Sequence, residues 1–338
     1  MILHIRADGN SNIGTGHIMR CLSIAKASET KGCKCIFVTA DTEMHPAIEA
    51  AGFSVICLDS VWNDMEQEID KMRALIEKQK IEKLLIDSYL VTPDYLSTLH
   101  KLTHVIYMDD LDAFQYPCSE LINYNIYAER LDYPARYPNT RLLLSPKYAP
   151  LREEFQNLPK RIMKEKVKKV LVTTGGSDPY NVAAALIKAA VARPKLKEFE
   201  FHIVSGRFNS HLPELLELEN QYLNITVHSN VQNMAKLMLG CDIAVSAAGS
   251  TLYELCVCGV PTVTFVLADN QIIAAEEFDR LGIMPYAGDV RENLDASICV
   301  ILAEIERLTL DFSNITTISE KMRILVSGHG AKRIVEEL

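Results

Sequence analysis

The sequence contains no run of the roughly 20 unbroken apolar residues that an α-helix needs to cross a membrane. Polar residues, glycine or proline interrupt its longest apolar stretches, LLIDSYLV and AVSAAGSTLYELCVCGVPTVTFVL. The opening segment, MILHIRADGN, also lacks the basic start and apolar stretch of a signal peptide. We therefore expect a cytoplasmic protein with no membrane span.

Positive charge is in deficit, since 35 Lys and Arg residues face 44 Asp and Glu residues, which gives a net charge of −9. This balance creates no global positive field that would attract a polyanion, so nucleic acid is not an expected partner. A small anionic ligand held by local groups is compatible with it.

Closely paired cysteines are missing too. The nine cysteines include no CxxC spacing, and an odd number cannot all pair within one chain. The pattern indicates reduced, mostly buried thiols and neither a zinc site nor a redox centre. We expect no cofactor.

What is present is an ordinary globular composition, with 48% hydrophobic and 23% charged residues. The chain of 338 residues is about twice as long as a usual domain, so two domains are expected. Over the first 145 residues, helical patterns alternate with the apolar runs ILHIRA, CIFVTA, SVICL, KLLIDS and HVIYMDD. The clearest helical patterns cover residues 17–30 and 64–79. This alternation predicts βαβ units around a parallel sheet.

A proline-rich stretch over residues 112–165 interrupts this rhythm, and we expect it to be the inter-domain region. The alternation then resumes with the runs KVLVTT, FEFHIVS, NITVH, DIAVS and PTVTFV. Helices are predicted between them over residues 181–192, from about 232, and over 250–258.

We therefore predict an α/β protein with two Rossmann-like domains, residues 1–155 and 156–338, each with its ligand edge at the carboxyl ends of its strands. The segment 315–338 is predicted to be a helix broken at 327–330. In a two-domain arrangement of this type, that last helix could pack back on the first domain.

Three glycine-bearing loops each follow a predicted strand and open a helix. They are Gly14-Thr15-Gly16-His17, Gly175-Gly176-Ser177-Asp178 and Ala248-Gly249-Ser250-Thr251. Glycine lets the backbone approach a ligand closely, and the N–H groups of the following helix face an anion. Each loop could bind phosphate or could be a plain structural connection, because none matches a Walker loop or the full GxGxxG of a dinucleotide site.

Glu254 and His17 each have two interpretations. Glu254 lies one helical turn beyond Ser250, where its carboxylate could accept both hydroxyls of a ribose or could stabilise the first turn of the helix. His17 starts the first helix, where the dipole favours the neutral imidazole that a general base needs, although it could simply help to cap the helix. Arg6, Asp8 and Arg20 are close to it in sequence, and Asp8 could orient the imidazole.

Taken together, these segments resemble a known family. IRADGNSNIGTGHIMRCLSIA, IDSYLV, MDDL, YAPLREEF, VTTGGSDPYN, NMAKLM and SAAGSTLYELCVCGVPTVTFVLADNQ run in order through the chain. They closely resemble the UDP-2,4-diacetamido-2,4,6-trideoxy-altropyranose hydrolases of pseudaminic acid biosynthesis. That family is similar to the GT-B glycosyltransferases, so the resemblance implies a GT-B fold. Its two Rossmann-like domains face each other across a cleft, with the nucleotide on the C-terminal domain and the sugar towards the N-terminal one.

The resemblance also implies residue roles. His17 is expected to be the general base that activates water, and Tyr89 matches the tyrosine of an Asp-His-Tyr motif. Including Asp8 as the orienting carboxylate, the expected catalytic residues are His17, Asp8, Tyr89 and Asn270. Val231 and Met234 are expected near the uracil and Glu254 at the ribose. The full set expected to bind substrate is Arg6, Gly14, Gly16, Arg20, Gly176, Ser177, Val231, Met234, Ala248, Gly249, Ser250, Thr251, Glu254 and Gln271.

The chain departs from the family pattern at Ser88, where histidine is usual, at Ser177, where alanine is common, and in the continuation Leu111–Phe114 of the Asp-Asp motif. Ser88 is next to Tyr89, so the departure bears on the sugar substituents and leaves UDP recognition untouched. Asp109 and Asp110 are interpreted as structural or sugar-facing and not as a metal site.

The function implied is hydrolysis of UDP-2,4-diacetamido-2,4,6-trideoxy-β-L-altropyranose to UDP and the free altrose derivative, with inversion, without a metal, and by a monomer. A GT-B glycosyltransferase that uses a UDP-amino sugar is one alternative, since the fold serves that class far more often. Hydrolysis of a related UDP-diacetamido sugar is another. A non-catalytic UDP-sugar-binding subunit is the third.

Overall fold

The computed structural model describes residues 2–10, 12–164 and 166–338. The chain forms two compact units, one made of Met1–Arg152 with His329–Leu338 and the other of Glu153–Gly328. Each unit is a parallel β-sheet with helices connecting its strands, so the predicted α/β class is confirmed.

The first unit contains seven strands in the described part of the chain, in the order β3-β2-β1-β4-β5-β6-β7. The strands are β1 (Ile2–Ala7), β2 (Lys34–Thr39), β3 (Ser54–Cys57), β4 (Lys83–Asp87), β5 (His104–Met108), β6 (Glu120–Asn123) and β7 (Arg141–Leu144). The helices are α1 (Gly16–Thr30), α2 (His45–Ala50), α3 (Ile69–Gln79), α4 (Pro93–His100) and α5 (Tyr133–Arg136). The central strands β1 and β4 are buried over nearly their whole length, which accounts for their mostly apolar sequences.

Two strands of this sheet lie where the sequence predicted an inter-domain region. β6 pairs in parallel with β5, and β7 pairs with β6, so residues 112–152 belong to the first unit. The prediction for that stretch is therefore wrong, because its prolines lie in the connections and leave two short strands intact.

The second unit contains six strands among the residues described, in the order β10-β9-β8-β11-β12-β13. They are β8 (Lys169–Thr173), β9 (Glu200–Ser205), β10 (Ile225–Ser229), β11 (Ile243–Ala247), β12 (Thr262–Val266) and β13 (Tyr286–Asp289). Its helices are α6 (Val182–Val191), α7 (Leu212–Gln221), α8 (Met234–Gly240), α9 (Thr251–Cys258), α10 (Ile272–Arg280), α11 (Leu294–Leu310) and α12 (Phe312–Leu325). The predicted strands and helices are confirmed to within a few residues, whereas α10, β13 and α11 were not predicted.

The last helix, α13 (Gly330–Glu337), belongs to the first unit, where it packs against α1 and the turn Pro146–Tyr148. Arg333 Nη1 donates to the Lys147 carbonyl at 3.0 Å. A side chain at Gly330 would collide with the backbone of Ala149, so this approach requires glycine.

We predict that Gly330→Ala lowers the free energy of unfolding by about 1–3 kcal/mol, the usual cost of forcing an extra carbon into a packed site. Hydrogen exchange should be faster in α13, and urea unfolding should begin earlier. Gly240→Ala is the matched control, since a Cβ at Gly240 meets no atom within 4 Å. Equal effects of the two substitutions would contradict the packing described.

Candidate active site

The candidate site of the first unit lies where the strand order reverses, at the carboxyl ends of β1 and β4. Parallel sheets bind ligands at such a point, because the loops after the two strands diverge and leave a crevice. The loop after β1 leads into α1, and the loop after β4 begins at Ser88. Side chains at these two strand ends therefore lie close together although they are far apart in sequence.

His17 and Asp87 form the central contact of this site, with His17 Nδ1 2.6 Å from Asp87 Oδ1. An ionised carboxylate only accepts hydrogen bonds, so the proton must be on Nδ1. Arg20 Nη2 lies 3.2 Å from the same nitrogen. Because both nitrogens carry protons, they do not bond to each other, and both donate to Asp87 Oδ1. This tautomer leaves the Nε2 lone pair available to take a proton.

Asp8 does not orient His17, so that prediction is wrong. The Asp8 carboxylate pairs with Arg6 Nη1 at 2.6 Å and accepts the Ala40 N–H at 2.7 Å. Asp87 takes the orienting position, because β4 lies beside β1 in the sheet. Asp8 is close to His17 along the chain, whereas Asp87 is close in space.

Arg6 is also excluded from substrate contact. Its side chain is fully buried, and each of its three nitrogens donates to a carboxylate, Nη1 to Asp8 and Nε and Nη2 to the two oxygens of Glu68. Tyr95 and Ser60 complete the contacts of Glu68. Arg6 therefore ties β1 to the start of α3 and has a structural role.

Arg20 is the second partner of Asp87. Its Nε and Nη2 donate to the two oxygens of Asp87 at 2.6 and 2.5 Å, and its Nη1 donates to Asp110 and to the Tyr124 hydroxyl at 2.6 and 2.8 Å. Burial alone would raise the pKa of Asp87, but Arg20 and His17 hold that pKa well below its usual range. Each of the three nitrogens of Arg20, predicted to bind substrate, thus donates to a protein carboxylate.

Tyr89 packs on His17, with the ring centroids 4.4 Å apart and the rings at 74° in an edge-to-face contact. Burial, and then the negative charge of Asp110, raises the pKa of the Tyr89 phenol, so it stays protonated. Tyr89 and His17, each expected from the sequence to be catalytic, are therefore in contact.

The glycine loop before α1 is closed by two backbone hydrogen bonds between Asn10 and Gly14, of 3.1 and 2.8 Å. Gly14 has a φ of +74°, in the left-handed region that favours glycine. Gly16 is exposed and is the first residue of α1. The loop thereby places His17 in the first turn of the helix, beside Asp87.

In the second unit the strand order reverses between β8 and β11, and the two predicted glycine loops follow these strands. The backbone at Gly175 has a φ of +83°, and the Gly176 carbonyl accepts the Phe208 N–H at 2.9 Å. Gly176 is exposed and Ser177 partly so. Asp178 is turned inward, where its carboxylate accepts the N–H groups at the start of α6.

The loop after β11 lies beside the turn after β12. Ala248 is buried, Gly249 and Thr251 are partly exposed, and Ser250 is exposed. Gln271 Nε2 lies 4.0 Å from where a Cβ on Gly249 would be, and Gln271 Oε1 accepts the Leu267 N–H. Glu254 is partly buried in the first turn of α9, and Asn270 is exposed in the turn after β12. Met234 begins α8 and Val231 comes just before it, and both are partly buried.

Three residues of the first-unit site were not assigned from the sequence: Asp87, Asp110 as the partner of Arg20, and Tyr124. A signal did exist, because His17, Arg20 and Cys21 are spaced so that they share one face of a helix. All three contact Asp87, with Cys21 Sγ 3.4 Å from it.

Within residues 2–10, 12–164 and 166–338, no group of three or more His, Cys, Asp or Glu side chains is arranged to hold a metal ion. Across the same residues, no helix has the length and apolar character required to cross a membrane.

Each α/β unit has loops at its switch point, the place where its strand order reverses. These two units define the class: the chain has the GT-B fold. MurG of Acinetobacter baumannii superposes with a TM-score of 0.68 over 99% of this chain and 98% of that chain, at 14% identity. A glycosyltransferase of Streptomyces sp. SF2575, SsfS6, solved with thymidine diphosphate, superposes with a TM-score of 0.60 over 100% of both chains, at 14% identity. At such identities the likeness concerns the fold alone.

Sequence comparison shows similarity to a particular domain family and to individual proteins. Residues 170–322 match the family model described as the glycosyltransferase family 28 C-terminal domain. The UDP-2,4-diacetamido-2,4,6-trideoxy-β-L-altropyranose hydrolase of Campylobacter jejuni is 28% identical over 252 residues, 74% of this chain and 85% of that protein. This similarity confirms the resemblance that the motifs predicted.

Two further relatives are similar over comparable lengths. The spore coat polysaccharide biosynthesis protein SpsG of Bacillus subtilis is 25% identical over 288 residues, 83% of this chain and 82% of that protein. An uncharacterized protein of Methanocaldococcus jannaschii is 26% identical over 286 residues, 80% of this chain. The matched region spans 56% of the archaeal protein, which is therefore considerably longer than the region it shares with this chain.

We predict that the His17 Nδ1–H proton of the protein labelled with ¹⁵N-histidine resonates far downfield, because it is held against the Asp87 carboxylate at short distance. Asp87→Asn removes the charge and should move this resonance upfield. Asp8→Asn, the matched control, should leave it in place. A resonance that responds to Asp8→Asn and ignores Asp87→Asn would contradict the assignment of the orienting carboxylate.

Proposed function

We propose that the chain is an enzyme that acts on a UDP-sugar, and that it hydrolyses UDP-2,4-diacetamido-2,4,6-trideoxy-β-L-altropyranose in pseudaminic acid biosynthesis. The main support for the proposal is the His17–Asp87 contact of 2.6 Å, because this contact orients the imidazole and leaves its Nε2 able to act as a base. The similarity to the Campylobacter jejuni hydrolase supports the choice of substrate.

In the proposed reaction His17 Nε2 takes a proton from water as the water oxygen attacks the anomeric carbon. The bond between that carbon and the diphosphate oxygen breaks, and its electron pair leaves with UDP. A single displacement on the face opposite UDP inverts the anomeric configuration. UDP is already a good leaving group, so one base suffices and a pair of carboxylates is not required.

We assign the nucleotide to the second unit. The loops Gly175–Ser177 and Ala248–Thr251 follow the two strands that flank its switch point, where small residues let the backbone approach a diphosphate. Donors from Ser250, Thr251 and the start of α9 can receive the negative charge that develops on the leaving group. Glu254, one turn further along α9, is assigned to the ribose hydroxyls.

A second candidate function is transfer of the sugar to an acceptor other than water. The match of residues 170–322 to a glycosyltransferase family domain favours it. The two candidates share nucleotide binding and differ only in what attacks the anomeric carbon.

We predict that His17→Ala lowers turnover by about 100-fold or more, the usual contribution of a general base, and leaves UDP affinity unchanged. Turnover is measured by NMR of the anomeric protons during incubation with the altropyranose substrate, with UDP-N-acetylglucosamine in parallel, in chelator and without phosphate. Asp112→Asn is the control, since Asp112 pairs with Arg136 and not with His17.

Release of UDP from the first substrate alone, with the inverted sugar appearing before mutarotation, is the expected result. Undiminished turnover in His17→Ala would remove His17 from the mechanism. If UDP binds and neither substrate is hydrolysed, the transferase is the better account.

We predict that Glu254→Gln weakens UDP binding by about tenfold, as expected for the loss of a hydrogen bond to a charged group. The wild-type protein should bind UDP more tightly than 2′-deoxy-UDP, and the variant should lose most of this preference. Calorimetric titration with both nucleotides measures it, with Glu276→Gln, an exposed carboxylate of α10, as control. A preference that survives in Glu254→Gln would assign the ribose contact elsewhere.

A further inference from the structure

Asp110 is a buried carboxylate that the proposed reaction does not use. It follows β5, and its side chain is 9% exposed. Its Oδ2 accepts Arg20 Nη1 at 2.6 Å and its Oδ1 accepts Asn125 Nδ2 at 2.8 Å. Tyr127 donates to its backbone carbonyl at 2.7 Å. Asp110 is therefore fixed in place and ion-paired without reaching His17 directly.

The connection from Asp110 to His17 passes through two side chains, Arg20 and Asp87. Arg20 bridges Asp110 and Asp87, and Asp87 accepts the His17 Nδ1–H. The order along this chain of contacts is Asp110, Arg20, Asp87, His17. Each neighbouring pair is of opposite charge once the imidazole is protonated.

The charge around the imidazole can be counted from the groups that face the cluster. From α1 these are Arg20 and Cys21, from the end of β4 Asp87 and Tyr89, from the loop after β5 Asp110, and from the loop after β6 Tyr124. Burial raises the pKa of Cys21 and of both phenols, so these three groups are neutral. Tyr107 and Tyr127, behind Asp110, are neutral for the same reason.

Asp109, next to Asp110, accepts from the Tyr133 hydroxyl and from the Leu111 and Asp112 N–H groups, and burial raises its pKa. The charged side chains that contact one another in the cluster are Asp87, Asp110 and Arg20, and two carboxylates with one guanidinium leave a net charge of −1. Adding a proton to His17 brings the cluster to neutrality. Without Asp110, Arg20 would neutralise Asp87, and the same proton would create an unbalanced positive charge in a buried site, which is unfavourable.

We propose that Asp110 is a positioning residue that sets the basicity of His17 by offsetting the charge of Arg20, so that Asp87 keeps its negative charge for the imidazole. This inference rests on the proposed role of His17 as the base. It does not depend on which UDP-sugar is the substrate.

The test is a pH titration of the histidine resonances in the ligand-free protein labelled with ¹⁵N-histidine, from about pH 5 to about pH 9, where histidine titrates. The His17 signal is identified among the nine histidines by its absence in His17→Ala. In Asp110→Asn the midpoint of imidazole protonation should fall by about one pH unit, the effect of removing one charge from a partly buried site. Asp110→Glu, which keeps the negative charge, should return the midpoint most of the way to the wild-type value.

Two controls separate charge from geometry. Asp112→Asn removes a carboxylate from the same loop whose partner is Arg136, and it should leave the midpoint in place. Tyr124→Phe removes a hydrogen bond of Arg20 without changing any charge, and it should also leave the midpoint near the wild-type value. A shift in Tyr124→Phe as large as that in Asp110→Asn would overturn the inference.

Kinetics supply the second measurement. The acidic limb of the pH–rate profile of Asp110→Asn should move to lower pH by the same amount as the NMR midpoint, and the maximal rate should fall less than in His17→Ala. An unchanged NMR midpoint in Asp110→Asn overturns the inference whatever the enzyme's activity. An active His17→Ala would instead overturn the proposed function, so the two failures are distinguishable.

Discussion

The first unit depends on one buried carboxylate. Asp87 is fully buried and ends a central strand, so its charge is tolerable only because Arg20 and His17 donate to it from α1. Removing one partner of such a pair leaves a charge uncompensated, at a cost of about 3–5 kcal/mol. The same contacts fix the start of α1 to the end of β4 and select the imidazole tautomer. Local stability and the tautomer of His17 are therefore set by the same three side chains.

The alternation of apolar runs and helical patterns was enough to predict the α/β class and most elements, because buried parallel strands and amphipathic helices leave strong periodic signals. β6, β7 and β13 escaped prediction. Each has four residues, the first two lie between prolines, and Gly288 interrupts β13. A strand this short, with proline or glycine in or near it, has no clear period of its own. It is defined by hydrogen bonds to the neighbouring strand, which a single sequence does not specify.

The site was predicted less completely, and for a related reason. His17, Tyr89 and the glycine loops are local patterns or family motifs, so the sequence points to them directly. The partner of His17 required the strand order, because Asp8 and Asp87 both lie at strand ends in the same unit. Asp8 is nearer in sequence, but it is used by Arg6 and Ala40. Only the pairing of β1 with β4 brings Asp87 next to the helix that carries His17.

The same topological position has a different electrostatic character in the two units. At the switch point of the first unit, buried carboxylates and one guanidinium leave a net negative charge, which disfavours a bound anion. At that of the second, the loops carry glycine, serine and threonine, and Asp178 is turned onto backbone N–H groups. Such loops suit a diphosphate, because the carboxylate of Asp178 is buried against backbone N–H groups and does not face the loop donors. This difference in charge, more than the shared fold, supports assigning the base to one unit and the nucleotide to the other.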